Sequence, residues 1–194
     1  MKGNWGLLDV ADVCHGAQYC ADQGFVNPEW LCIDGRSAGG YTTLAALVFA
    51  DTFRAGASLY GVGDLKMLAE STPKFESRYL DGLIGPYPEA KSVYEARGPI
   101  SHTDKLNCPV ILLQGLEDKI VPPDQAEKMF EMCTSKSIPS SLVLYRGEQH
   151  GFRKAENIGS ALLSEYFFFC QTFSIEPQPE DGFAGVNIGT RVEI

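Results

Sequence analysis

The run Gly35-Arg36-Ser37-Ala38-Gly39-Gly40 restricts the folds open to this chain more than any other stretch of it. It follows the apolar Trp30-Leu31-Cys32-Ile33, with only Asp34 between, and directly precedes Tyr41 to Ala50, which reads as a helix. A G-x-S-x-G pattern between a strand and a helix sets its serine at the tip of a sharp turn. Backbone on such a turn is strained, so neighbours without side chains are needed to avoid collisions with strand or helix. The serine hydroxyl is then exposed at a helix N-terminus, where the dipole and unpaired N–H groups favour negative charge. In an unstructured loop the same pattern would mean only a flexible turn, so the flanking segments carry the inference.

Two further segments continue the pattern in the order Ser, Asp, His. Pro109-Val110-Ile111-Leu112-Leu113-Gln114 is an almost wholly apolar run, the signature of a buried parallel strand, and it leads into Gly115-Leu116-Glu117-Asp118. Ser141-Leu142-Val143-Leu144-Tyr145 reads as another strand and leads into Arg146-Gly147-Glu148-Gln149-His150-Gly151-Phe152. Functional groups of open parallel sheets gather at the carboxyl ends of the strands, which is where all three residues fall.

A serine hydroxyl is a weak nucleophile until an imidazole takes its proton, and the imidazole needs a carboxylate on its other nitrogen to fix its tautomer. These requirements assign Ser37 as nucleophile, His150 as general base and then acid, and Asp118 as the orienting carboxylate. The N–H of Ala38, next after the serine, is the expected oxyanion donor. His15 lies in a helical stretch and His102 in a loop, so both read as structural or solvated. Glu117 and Asp124 are the rivals of Asp118; Asp124 better suits the first turn of the following helix.

Helical spacing recurs at Val10, Val13, Cys14, Ala17, Cys20 and Ala21, and again at Ala126, Met129, Phe130 and Cys133 after Pro123. A last helix from Ala155 to Phe173 places Ile158, Leu162, Tyr166, Phe169, Cys170 and Phe173 on one face. Strands are expected near residues 30–34, 55–60, 109–114 and 142–146. Residues 175–194 are Pro- and Gly-rich and read as an exposed tail, with Thr190 to Ile194 able to pair as a short strand.

The 194 residues suit one domain. The net charge of −9 argues against nucleic acid or an anionic membrane surface as partner. No apolar run approaches the roughly 20 residues that span a bilayer, and the first residues do not open a signal peptide. The six cysteines are scattered without C-x-x-C pairs, which speaks against zinc and fits small core residues in a reducing cytoplasm.

Trp5-Gly6-Leu7-Leu8-Asp9-Val10-Ala11-Asp12, Gly35 to Tyr41, Gln114 to Pro122 and Glu148 to Phe152 together resemble the prolyl oligopeptidase family of serine peptidases, most closely its acylaminoacyl- and dipeptidyl-peptidase-like branch. The resemblance covers roughly residues 3 to 174. It implies an α/β-hydrolase fold, a mostly parallel sheet with helices on both faces, over residues 1–174 ahead of a tail at 175–194. It also implies no metal or organic cofactor, and cleavage of short or N-blocked peptides through an acyl-enzyme on Ser37. Tyr60, Val62, Phe75 and Tyr79 are, by similarity, the residues expected to line the substrate pocket.

Relatives carry a β-propeller and the first half of the hydrolase sheet ahead of the Trp5-Gly6 string. Those parts are expected to be missing here, leaving the nucleophile's strand with an open edge and one oxyanion donor fewer, a loss of about 100- to 1,000-fold in rate. The open edge is an expected site of homo-oligomerisation. Two other readings remain at this point: a small carboxylesterase of the same fold, and an inactive form serving as a binding or oligomerisation module.

Overall fold

Val110-Ile111-Leu112-Leu113 carries no polar side chain because both faces of its strand are covered. In the computed structural model, which describes residues 1–71, 78–178 and 186–194, β3 (Val110–Gly115) is buried along its whole length. Val110 and Leu112 join one hydrophobic cluster with Leu142 and Leu144, while Ile111 and Leu113 join a second with Val143 and Tyr145. The alternation follows from the two-residue period of a strand, and each fully buried aliphatic side chain contributes about 1.5–3 kcal/mol.

Five parallel strands make up the sheet: β1 (Cys32–Arg36), β2 (Ala55–Leu59), β3, β4 (Ser140–Tyr145) and β5 (Arg191–Glu193), in that spatial order. Cys32 lies opposite Ala55, Ala57 opposite Ile111, Leu112 opposite Leu142 and Val143 opposite Val192. The first cluster takes Val10 and Cys14 from α1 (Leu8–Asp22), Leu44 and Leu47 from α2 (Ala38–Phe49), and Met129 and Cys133 from α6 (Asp124–Ser135). The second takes Ala161 and Phe168 from α7 (Ala155–Thr172). Helices therefore cover both faces of a parallel sheet, the α/β-hydrolase arrangement. Between β2 and β3 come α3 (Leu65–Ser71), α4 (Tyr79–Leu83), α5 (Lys91–Arg97) and a 3-10 segment, Pro99–Lys105.

Three sequence expectations change. The first strand begins at Cys32, because Asn27 accepts from the N–H of Glu29 and starts a 3-10 turn over Pro28–Trp30. The buried residues of α7 are Asn157, Ala161, Ser164, Phe168 and Cys170, whereas Ile158, Leu162 and Tyr166 stand exposed. The tail is less exposed than expected, with Val186 buried in the second cluster, while the short strand allowed for Thr190 to Ile194 is present as β5, paired with β4. Among the described residues β1 has a partner strand on one side only.

Candidate active site

Ser37 lies between the last residue of β1 and the first of α2, with φ 55° and ψ −119°, a conformation costing about 1–3 kcal/mol outside glycine. Its N–H donates to Leu59 O at 3.0 Å, which fastens the turn to the neighbouring strand. A β-carbon on Gly35 would overlap the carbonyl of Gly39, and one on Gly40 would reach Gly61 Cα at 2.7 Å. Gly39 faces open space, so the two glycines that the turn requires on steric grounds are Gly35 and Gly40. The N–H of Tyr41 donates to Ser37 O, so the N–H of Ala38 precedes the helical ladder.

The loops after β3 and β4 bring Asp118 and His150 to this turn. Ser37 Oγ is 2.7 Å from His150 Nε2, across 113 residues of sequence. His150 Nδ1 is 2.8 Å from Asp118 Oδ2. Asp118 is 3% exposed, and its other oxygen accepts from the N–H groups of Ile120 and Val121, each at 2.9 Å. The buried Gln114 donates to Asp118 Oδ2 at 3.3 Å and to Val121 O at 3.1 Å, bracing the same loop. A carboxylate so held keeps a lone pair aimed at Nδ1; with the imidazole proton there, Nε2 accepts from the serine.

The competing residues lie elsewhere. Glu117 is exposed, and Asp124 occupies the first turn of α6. His15 is exposed on α1, and His102 is held by Glu95 O at 3.1 Å and by the ring of Phe49.

Beside Ser37, Ala38 and His150 opens a cavity of about 440 Å³. Val62 and Tyr79 line it, as do Trp5, Leu68, Leu80, Ile120 and Val121. Tyr60, expected with them, stands apart: its φ of 39° turns the chain, and its ring packs at 5.2 Å on His150 and 5.3 Å on Phe152. It lines a second cavity, of about 210 Å³, with Phe152, Ile158 and Leu162. Phe75 lies outside the described residues.

Sequence reasoning misses Trp5 as a lining residue, though its motif holds a signal. Asp9, in the same string, accepts from Gly6 N at 2.6 Å and from Thr42 Oγ1 at 2.7 Å, which ties the segment to the start of α2. Trp5 thereby packs against Tyr41, ring centres 4.4 Å apart, and forms one wall of the cavity. Among the described residues no group of three His, Cys, Asp or Glu side chains is placed to hold a metal ion, and no helix is long and apolar enough to cross a membrane.

Residues 1–176 match the model of the prolyl oligopeptidase family. Dipeptidyl aminopeptidase BIII of Pseudoxanthomonas mexicana is 28% identical over 199 residues, covering 98% of this chain and 29% of that protein. Dipeptidyl peptidase family member 6 of Caenorhabditis elegans is 28% identical over 163 residues, 80% of this chain and 22% of the relative. Among solved structures, a puromycin-hydrolyzing peptidase of Mycobacterium tuberculosis superposes with a TM-score of 0.91 at 44% identity, covering 96% of this chain and 28% of the other. The chain thus spans less than a third of the length of each of these proteins.

Proposed function

The chain belongs to the prolyl oligopeptidase family, and from that premise we propose that it hydrolyses short or N-blocked peptides as a serine peptidase, through an acyl-enzyme on Ser37. The observation that carries the reading is the continuous Ser37–His150–Asp118 contact at 2.7 and 2.8 Å. In this reading His150 Nε2 takes the hydroxyl proton as Ser37 Oγ attacks the scissile carbonyl. The carbonyl π electrons move to oxygen, and the N–H of Ala38 donates to the resulting oxyanion. Collapse of the tetrahedral adduct expels the amine, which leaves with the proton from His150. Water, deprotonated by the same imidazole, then releases the acid and restores the serine. Asp118 stays ionised throughout and stabilises the imidazolium.

The cavity wall supports a substrate with an apolar side chain next to the scissile bond. Val62 and Leu80 are buried there, and Trp5 and Tyr79 supply aromatic surface. The names of the relatives, a dipeptidyl aminopeptidase and a puromycin-hydrolyzing peptidase, agree with small substrates. A reducing cytoplasm is the compartment that fits six unpaired cysteines, four of them buried.

A fluorophosphonate probe tests the chemistry. Folded protein is expected to label, and Ser37→Ala to abolish labelling and to lower turnover of a peptide naphthylamide by at least about 1,000-fold. Folded protein that shows no Ser37-dependent labelling would sink the reading. Turnover of short acyl esters without any turnover of peptide amides would replace peptidase by esterase.

A further inference from the structure

The loop that carries His150 is anchored by a carboxylate for which the reaction itself has no use. Glu148 stands two residues before the histidine and is 1% exposed. Its Oε2 accepts from the N–H of Arg153 at 2.8 Å. Its Oε1 accepts from the N–H of Lys154 and from Asn157 Nδ2, both at 2.9 Å. Burial pushes this carboxyl up, but the hydrogen bonds from Asn157, Lys154 and Arg153 outweigh it and hold the group below the usual glutamate range.

Those donors mark the start of α7. Lys154 precedes the first helical residue, and its own side chain makes no capping bond. Glu148 supplies an acceptor from outside the helix, together with the negative charge that a helix N-terminus favours. The main chain of the same residue faces the other way. Glu148 O accepts from the N–H of Glu117 at 2.9 Å, next to Asp118, and a β-carbon on Gly115 would stand only 2.6 Å from that oxygen. One residue thus touches the Asp118 loop through its backbone and α7 through its side chain, with His150 on the segment between.

We propose that Glu148 is a positioning residue for His150, fixing the histidine loop to the first turn of α7 so that the imidazole stays aligned with both Ser37 and Asp118. The inference rests on the reading of His150 as the proton-transfer group. Loss of these bonds releases the loop and leaves the apolar wall of the substrate cavity in place, since His150 alone of the lining residues stands on that loop. Displacement of an acid–base group by about 1 Å costs on the order of 100-fold.

Glu148→Gln keeps the size of the side chain but turns an amide NH2 against a backbone N–H. Asn157→Ala removes one of the three bonds and leaves the charge. Both are compared with the wild type by peptide turnover, by circular dichroism, and by the downfield imidazole proton resonance of the His150–Asp118 hydrogen bond. In folded Glu148→Gln the resonance is expected to broaden or vanish and kcat to fall about 10- to 100-fold, with KM within about two-fold. Asn157→Ala is expected to show a smaller fall, in kcat alone.

Wild-type kcat and an intact resonance in folded Glu148→Gln would overturn the proposal. Should that variant fail to fold, Asn157→Ala decides: a fall in kcat without a change in KM supports positioning, and unchanged kcat with an intact resonance refutes it. A wild type that turns over neither peptides nor esters, yet shows the resonance that Glu148→Gln loses, would end the peptidase reading and leave the positioning role standing.

Discussion

A β-carbon on Gly40 would come within 2.7 Å of Gly61 Cα and 2.9 Å of Ser58 Oγ, whereas one on Gly39 would meet nothing within 4 Å. Both residues lie in the first turn of α2, so helix propensity treats them alike and packing separates them. Gly40→Ala is expected to destabilise the fold by about 1–3 kcal/mol, the usual range for overpacking, and to slow labelling of Ser37 as the turn shifts. Gly39→Ala should instead be neutral or stabilising by up to about 1 kcal/mol, because alanine loses less backbone entropy in a helix. Urea unfolding of the two variants checks the pair, and equal midpoints would refute the steric account. The contrast between these glycines is invisible in the motif, because the obstacle to a side chain at Gly40 comes from Gly61 and Ser58, well downstream.

Glu165 shows how α7 is coupled to the strand that precedes Ser37. Burial pushes its carboxyl up to about 7, the charge of Asp34 on β1 adds to the rise, and Arg36 opposes it. The folded chain therefore keeps a proton that the unfolded chain loses above 4.5, and stability declines as pH rises from there to about 7. Glu165→Gln removes the linkage. Its Tm is expected to match the wild type at pH 5 and to exceed it by about 2–4 °C at pH 8. That is the size of roughly 1 kcal/mol once solvent screening of a partly exposed group has reduced the effect. Equal Tm differences at both pH values would remove Glu165 as the cause. The same helix marks where sequence reading stops. It carries two apolar stripes, and period alone does not say which meets the sheet; Ala161 and Phe168 win by packing with Leu113 and Val143. Strands β3 and β4 are legible because Val, Ile and Leu run together through them, and Asp118 and His150 because each follows such a run. Tyr60 is misplaced because its positive φ cannot be read from its neighbours. Trp5 escapes notice because its place beside Ser37 exists only once Asp9 has bonded to Thr42.

At the scale of the molecule, apolar surface gathers near β1. Trp30 is 57% exposed and packs at 6.4 Å on Phe173, beyond the end of α7, while Leu162 on that helix is 54% exposed. With the outer side of β1, unpaired among the described residues, these side chains are expected to form an adhesive margin, restrained by the net charge of −9. The 194-residue chain is expected to self-associate with rising concentration, more strongly at high salt, where repulsion between copies is screened. Trp30→Lys or Leu162→Lys should move it toward monomer in sedimentation velocity; a monomer at every concentration and salt would show that the margin is inert. The sheet has one more consequence, for synthesis. Its strands stand side by side in the order in which they are translated, β1 through β5. Each emerging strand finds its template in the one made just before it, so these five can assemble vectorially as the chain leaves the ribosome. Ser37 is laid down with the earliest of them, and the chain acquires its proton relay only after the fourth has docked and delivered His150.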